Sequence, residues 1–339
     1  MNESVKILAI ESSCDDTSVA IVDSDYNVFI NLVSSQKEHN LYGGVVPELA
    51  SRLHMKSVMT LTQSALIKAN CSFKDISAIA VSVNPGLIGS LLVGLSFAKS
   101  LAFGLQIPLI TVNHMLGHVF AAKLENPDLK PPYLALVVSG GHTELVHFKT
   151  ETDFTIIGKT KDDAAGEAFD KAAKLLNLGY PGGPIIDKLS QSGDANFIRF
   201  PRGLNRKGDH DFSFSGLKTS IMNYISKQNT DYITNHKSDI AASVQEAIID
   251  VLVKKTIQYA KNEKIDQIIV VGGVSANQTL RKVMTQQAGK LHIRTAYPRL
   301  AYCMDNAAMI GAAAIGKWER KEFSELNVNA FSTKGLRYL

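Results

Sequence analysis

Apolar runs rich in β-branched residues recur at residues 7–10, 19–22, 76–83, 109–112, 134–138, 145–148 and 268–271, and each reads as a strand. Between them lie amphipathic stretches that predict helices at 46–69, 87–103, 164–176, 185–191, 238–262, 277–287 and 306–320. Asn277 stands at an N-cap position, and Pro184 fits a first helical turn, where its missing N–H leaves no hydrogen bond unmade. Strands alternating with helices in this way predict an α/β architecture.

The pattern repeats. Residues 6–21 align with 132–147 without a gap, matching Leu8 with Leu134, Ala9 with Ala135, Ser13 with Ser139 and Thr17 with Thr143. Both copies read as strand, polar turn, strand. Later in each half an apolar strand enters a glycine-containing loop and then a helix: 79–83 into Asn84, Pro85 and Gly86, and 268–271 into 272–277. A duplicated unit opening on such a hairpin is the layout of the actin-like ATPase fold of sugar kinases, Hsp70 and actin, with two lobes and an interdomain cleft in which the two polar turns grip nucleotide phosphates. The expected lobes are residues 1–130, with a C-terminal helix at about 305–339 packing near it, and residues 131–304, with an insertion at about 150–235.

Composition narrows the setting. At 339 residues, 45% of them hydrophobic, the chain exceeds the usual size of one domain. A net charge of +4 permits a polyanionic partner without marking a dedicated nucleic-acid binder. Arg199, Arg202, Arg206, Lys207 and His210, interleaved with Pro201, Gly203, Asn205 and Gly208, read as a basic loop able to track phosphates; an ordinary solvated loop is the plainer alternative. Cys14, Cys71 and Cys303 lack CxxC spacing, which suggests neither a disulfide framework nor a zinc ribbon and fits a reducing cytoplasm. The opening residues do not read as a signal peptide, and no segment approaches the ~20 uninterrupted apolar residues of a membrane span.

His114 and His118 lie four apart, so on a helix both imidazoles project from one face within reach of a single ion. Two solvated or core histidines explain the spacing as well. Met115 stands where a metalloprotease HExxH motif needs its glutamate, which argues against peptide hydrolysis. Asp305, at the start of the last long helix, is the best third ligand, and two histidines with one carboxylate suit iron or zinc with open coordination positions. Ser139, Gly140 and Gly141 follow a strand and let a phosphate or acyl phosphate approach the backbone; a tight hairpin turn accounts for the glycines equally. Asp170 and Asp187, each near a helix start, offer carboxylates for ribose hydroxyls or are inert surface acids. Gly272 and Gly273 admit a flat base, and Asn277 either caps its helix or bonds a ligand.

Seven segments in order then carry a closer likeness: Ile10-Glu-Ser-Ser-Cys-Asp-Asp-Thr17, Gly44 to His54 with its Pro47-Glu-Leu-Ala50, Pro85-Gly-Leu-Ile-Gly89 running on to Gly94, Asn113-His-Met-Leu-Gly-His118, Val138-Ser-Gly-Gly-His-Thr143, Phe212-Ser-Phe-Ser-Gly-Leu-Lys218 and Val270-Val-Gly-Gly-Val-Ser-Ala-Asn277. From Ile7 to about Arg320 the sequence resembles the bacterial tRNA threonylcarbamoyladenosine transferases, formerly called O-sialoglycoprotein endopeptidases, of one family with the archaeal and eukaryotic catalytic subunit. The resemblance implies that His114, His118 and Asp305 bind one divalent ion, Fe2+ first and Zn2+ as the alternative. It implies that Val137, Val138, Ser139, Gly140, Gly141, Asp170, Gly183, Asp187 and Asn277 contact substrate. The implied reaction moves the threonylcarbamoyl group of threonylcarbamoyl-AMP to N6 of adenosine 37 in tRNAs reading codons that begin with A, releasing AMP. Asp15 or Asp16 assists proton removal or orients the adenosine, and Arg199, Arg202, Arg206 and Lys207 are candidate tRNA contacts. Implied partners are tRNA, a smaller paralogue of the same fold (TsaB-like) bound through the amino-terminal domain, and a small ATPase (TsaE-like), with no membrane. Asp16 stands where the family usually has Glu, Asn84 where it has Gly and Met304 where it has Thr. A sialoglycoprotein metalloprotease, a small-molecule kinase and a non-catalytic paralogue are the rival readings.

Overall fold

A computed structural model of the chain describes residues 5–332 apart from 43, 205 and 207. It divides into two compact units, Met1–Leu129 with Pro298–Leu339, and Lys130–Tyr297. The first holds strands β1 (Lys6–Glu11), β2 (Asp16–Asp23), β3 (Val28–Ser35), β4 (Ala78–Asn84) and β5 (Leu109–Asn113), with helices α1 (Pro47–Lys68), α2 (Ile88–Leu105) and α3 (His114–Ala121). The second holds β6 (Tyr133–Val138), β7 (Thr143–Phe148), β8 (Phe154–Lys159), β9 (Gln267–Val271) and β10 (Arg294–Ala296). Its helices are α4 (Ala165–Leu175), α5 (Gly182–Ser190), α6 (Ser215–Ile225), α7 (Thr230–Asn235), α8 (Lys237–Asn262) and α9 (Gln278–Gly289). Helix α10 (Ala307–Glu319) returns to the first unit.

The two sheets have one topology. Strand order is β3-β2-β1-β4-β5 in one and β8-β7-β6-β9-β10 in the other. In each, the opening hairpin and its outer neighbour pair antiparallel and the remaining two strands pair parallel, with Leu8 opposite Ile79 and the matching Leu134 opposite Ile268. The duplication read from residues 6–21 and 132–147 is therefore a duplication of whole sheets. Central strands are covered on both faces, which is why they are continuously apolar rather than alternating. Leu8 and Ile10 join the core under α1 and α2, whereas Ala9 points the other way, toward α10.

Strands β3, β8 and β10 were not legible as apolar runs. β3 and β8 are edge strands with mixed exposure and β10 is a three-residue edge strand, so none carries a continuous buried face. Helix α10 ends at Glu319, earlier than the expected helix to 339; residues 320–332 carry no helix, and 333–339 lie outside the described residues. Among the described residues one helix, α2, is long and apolar enough to cross a membrane by composition, with a mean hydropathy of 1.6 over 18 residues. Its buried stripe of Leu91, Leu95, Ala98 and Ala102 packs into the sheet core beside α1, which makes it a core helix.

Candidate active site

Strand β5 runs directly into α3, whose N-cap Asn113 accepts a hydrogen bond from the Leu116 amide at 3.1 Å. His114 thus opens the helix and His118 follows one turn later, both buried, their rings 4.8 Å apart and nearly perpendicular. Asp305 arrives from the other end of the sequence. Asn306 caps α10 through the Met309 amide, and Ser18 Oγ and Asn31 Oδ1 accept from the Ala307 and Ala308 amides at 2.8 and 3.1 Å, so the start of α10 is tied to β2 and β3. Glycines let α10 lie close: a Cβ on Gly117 would stand 2.9 Å from Ile310, and one on Gly311 2.8 Å from Val22. Asp305 Oδ1 consequently sits 3.1 Å from His118 Nε2 and 3.5 Å from His114 Nε2. The three donor atoms lie within 4.8 Å of one another.

Behind His114 stands Glu11, the last residue of β1 and fully buried. Its Oε2 is 3.2 Å from His114 Nδ1, and its Oε1 accepts from the Ser13 amide at 2.6 Å. Ser13 Oγ lies 3.1 Å from the same Nδ1. Sequence reasoning matched Ser13 with Ser139 in the repeat but gave neither Glu11 nor Ser13 a role beside the histidines; a glutamate ending an apolar strand and followed by two serines was the available signal. Burial opposes charge here, but Asp305 and Glu11 together raise His114 well above the ordinary imidazole range. Burial likewise works against ionised Asp305, yet His114 and His118 hold it well below the usual carboxylate range. The result is an anion-rich pocket presenting nitrogens on one side, which is what a divalent cation requires.

The turn after β1 is pinned from α1. His54, fully buried, meets Thr17 Oγ1 at 2.7 Å and the Cys14 carbonyl at 2.9 Å, so one ring nitrogen accepts and the other donates. That turn carries Asp15 and Asp16, both partly exposed. Burial, with Asp15 and Asp305 nearby, pushes the Asp16 carboxyl up to about 6. The same burial pushes the Cys14 thiol up, which disqualifies it as a ready nucleophile.

In the second unit the matching turn between β6 and β7 closes through Ser139, whose amide donates to the His142 carbonyl at 2.8 Å and whose Oγ accepts from the His142 amide. Gly140 and Gly141 are exposed with open space where side chains would be. Gly166, at the start of α4, could not carry a Cβ: it would stand 2.6 Å from the Ser139 carbonyl oxygen. Val137 and Val138 are fully buried strand residues, Val137 paired with Glu144 on one side and Val271 on the other, so neither side chain is open to a ligand. The carboxylates take structural partners. Asp170 accepts from the Gly182 amide at 2.7 Å, beside Gly183, and burial raises its carboxyl. Asp187 accepts from the Gln278 amide at 3.0 Å. Asn277 caps α9 through the Leu280 amide at 2.8 Å and donates to Gln245 at 2.7 Å. All three therefore serve helix N-termini, and they leave unused lone pairs on Asp170 and Asp187 for a ligand.

Of the basic loop, Arg199 and Arg206 are exposed, Arg202 is paired with Asp250 at 3.1 Å, and Lys207 lies outside the described residues. Lys255 donates from beneath to the carbonyls of Leu204, Asp209 and Asp211 and holds the loop in place.

The family model for TsaD, tRNA N6-adenosine threonylcarbamoyltransferase, matches residues 27–312. The chain is 48% identical over 331 residues to the tRNA N6-adenosine threonylcarbamoyltransferase of Clostridium botulinum (strain Kyoto / Type A2), with 97% of each chain covered. It is 49% identical over 325 residues to that of Clostridium beijerinckii, with 96% of each covered. Its fold is similar to component A of the (R)-2-hydroxyglutaryl-CoA dehydratase of Acidaminococcus fermentans, with a TM-score of 0.55 at 13% identity over 94% of this chain and 99% of that one. HypF of T. kodakarensis gives a TM-score of 0.64 at 14% identity over 95% of this chain and 49% of that one. Those likenesses, with the repeated sheets, establish the actin-like fold, and near-full-length identity of about half to the named transferases establishes more: the chain belongs to the TsaD family of tRNA N6-adenosine threonylcarbamoyltransferases.

Proposed function

We propose that the chain takes threonylcarbamoyl-AMP as donor and adenosine 37 as acceptor, in tRNAs that read codons beginning with A. The adenosine N6 amine attacks the carbamoyl carbonyl, a C–N bond forms, the anhydride C–O bond breaks, AMP leaves with the electron pair and the amine gives up a proton. The observation that carries this reading is the convergence of His114, His118 and Asp305. Two imidazole nitrogens and a carboxylate, with the Glu11 carboxylate behind one imidazole, fit a divalent ion with open positions, Fe2+ first and Zn2+ second. When bound, such an ion supplies a Lewis acid for the acyl group.

The remaining work falls to the chain itself. The exposed amides of Gly140 and Gly141 and the Ser139 hydroxyl are suited to the adenylate phosphate and to stabilising charge on departing AMP. Asp170 and Asp187, with lone pairs to spare, suit the ribose, and Gly183 and Asn277 the rest of the adenosine. An adenosine amine is a weak nucleophile, so positioning is the main source of rate. Asp15 or Asp16 accepts the released proton or orients the adenosine; a carboxyl near 6 suits a general base at neutral pH. Arg199 and Arg206 favour tRNA phosphates, along with Arg202 and Lys207 by their place in the same loop. Exposed Met55, Met59, Leu92 and Phe103 on α1 and α2 support docking of a smaller paralogue on the first unit, with a small ATPase as further partner. The free cysteines fit a cytoplasmic setting.

The test is reconstitution with the two partners, threonylcarbamoyl-AMP and unmodified tRNA, with nucleosides analysed by mass spectrometry. The expected product is threonylcarbamoyladenosine with stoichiometric AMP. His114→Ala should lose bound metal and transfer together; full transfer by a metal-free variant refutes the centre's role.

A further inference from the structure

Among the described residues, the two imidazoles of the centre are supported differently. His118 Nδ1 is buried with no hydrogen-bond partner. His114 Nδ1 faces the Glu11 carboxylate at 3.2 Å and the Ser13 hydroxyl at 3.1 Å, while its Nε2 faces Asp305. A neutral imidazole has one N–H and one lone pair, and the hydrogen bond made by one nitrogen decides which is which. A carboxylate at Nδ1 holds a proton there, so the nitrogen whose lone pair is freed when a cation enters between His114 and Asp305 is Nε2.

We propose that Glu11 is the positioning residue of the metal centre: it locks His114 in the Nδ1–H form with Nε2 presented as ligand, and supplies the second negative charge that makes the buried site neutral around a divalent cation. Glu11 is placed for this by β1, whose last residue it is, and its other oxygen is held by the Ser13 amide at 2.6 Å, so the carboxylate cannot swing away. Its complete burial points the same way, because a carboxylate without solvent persists only when fully partnered. With Asp305 it brings two negative charges to the cluster. Carboxylate–histidine–metal arrays of this kind raise ligand basicity and fix ring orientation. Because Glu11 Oε1 also holds the turn that carries Ser13, Asp15 and Asp16, the ligand and the polar turn share one anchor.

The inference rests on the metal centre proposed above, and the experiment separates the two. Zinc affinity of the full-length chain is measured by competition with a chromophoric chelator for wild type, Glu11→Gln and Ser13→Ala, alongside the melting temperature of each metal-free form. Glu11→Gln should raise the zinc Kd about 10–100-fold, and Ser13→Ala no more than about threefold. Equal zinc Kd in wild type and Glu11→Gln overturns the role of Glu11 alone; a wild type that retains no zinc overturns the centre and this inference with it. Where Glu11→Gln does not fold, 15N-labelled histidine in the zinc-loaded wild type decides: His114 should show a protonated Nδ1 and an unprotonated Nε2, and the opposite tautomer overturns the proposal.

Discussion

Asp16 occupies a turn already crowded with negative charge, and its carboxyl is pushed up to about 6 by burial first and by Asp15 and Asp305 after it. Its folded-state pKa therefore lies above the unfolded value, so the protonated form is the one folding prefers. The associated stability is full below about pH 4 and is lost as pH rises through about 6. Asp16→Asn in chelator-treated protein should leave the melting temperature unchanged at pH 4 and raise it at pH 8. The carboxyl is only partly buried, so solvent screening holds the gain to about 1 kcal/mol, or roughly 2–4 °C. An equal effect at both pH values would exclude titration of Asp16 as the cause. The Asp15 backbone carbonyl accepts from the Gln36 amide at 3.1 Å, which ties this turn to the end of β3.

Among the elements, α4 and α5 meet more tightly than any side chain would permit at one point. A Cβ on Gly182 would lie 2.5 Å from Ala173 Cβ and 2.8 Å from Asp170 Cα, atoms that cannot swing aside. Gly182→Ala should destabilise the second unit by about 1–3 kcal/mol and displace Asp170 from the α5 amide it caps, raising the Kd for adenylate. A variant that melts as wild type and binds as wild type would mean that the two helices slide freely, contrary to this packing. The edge strands and α6 belong at this scale too. Asp162 accepts from the Phe214 and Ser215 amides at 2.7 and 3.2 Å, so the start of α6 depends on a residue some fifty positions earlier. No local pattern announces such a helix.

Taken whole, the described residues form a buried apolar cluster in each unit, and the candidate ligands His114, His118 and Asp305 all belong to the first. An ion that binds only the folded state stabilises it by about 2.7 kcal/mol at a hundredfold excess over Kd. Adding zinc to chelator-treated protein should slow amide exchange around β1, α3 and the start of α10, with exchange in β6 to β10 unchanged. Equal protection of both sheets would show that the ion acts through the entire chain rather than through its own unit. Activity at this scale is that of the TsaD family, and the duplicated sheets explain why two homologous polar turns, at Ser13 and at Ser139, recur in one protein.

By itself the sequence determined the α/β alternation, the doubled opening hairpin and the short list of ligand types, because strand periodicity, apolar runs and helical spacing are local properties of the chain. Tertiary structure alone decided which buried carboxylate faces which imidazole. Glu11 and His114 are separated by 103 positions and Ala308 from Asn31 by 277, and contacts at such separations come from sheet order and helix packing rather than from neighbouring residues. The same reason governs Asp170, Asp187 and Arg202: each looks like a free polar group in the sequence, and each takes a partner that only the fold brings within reach.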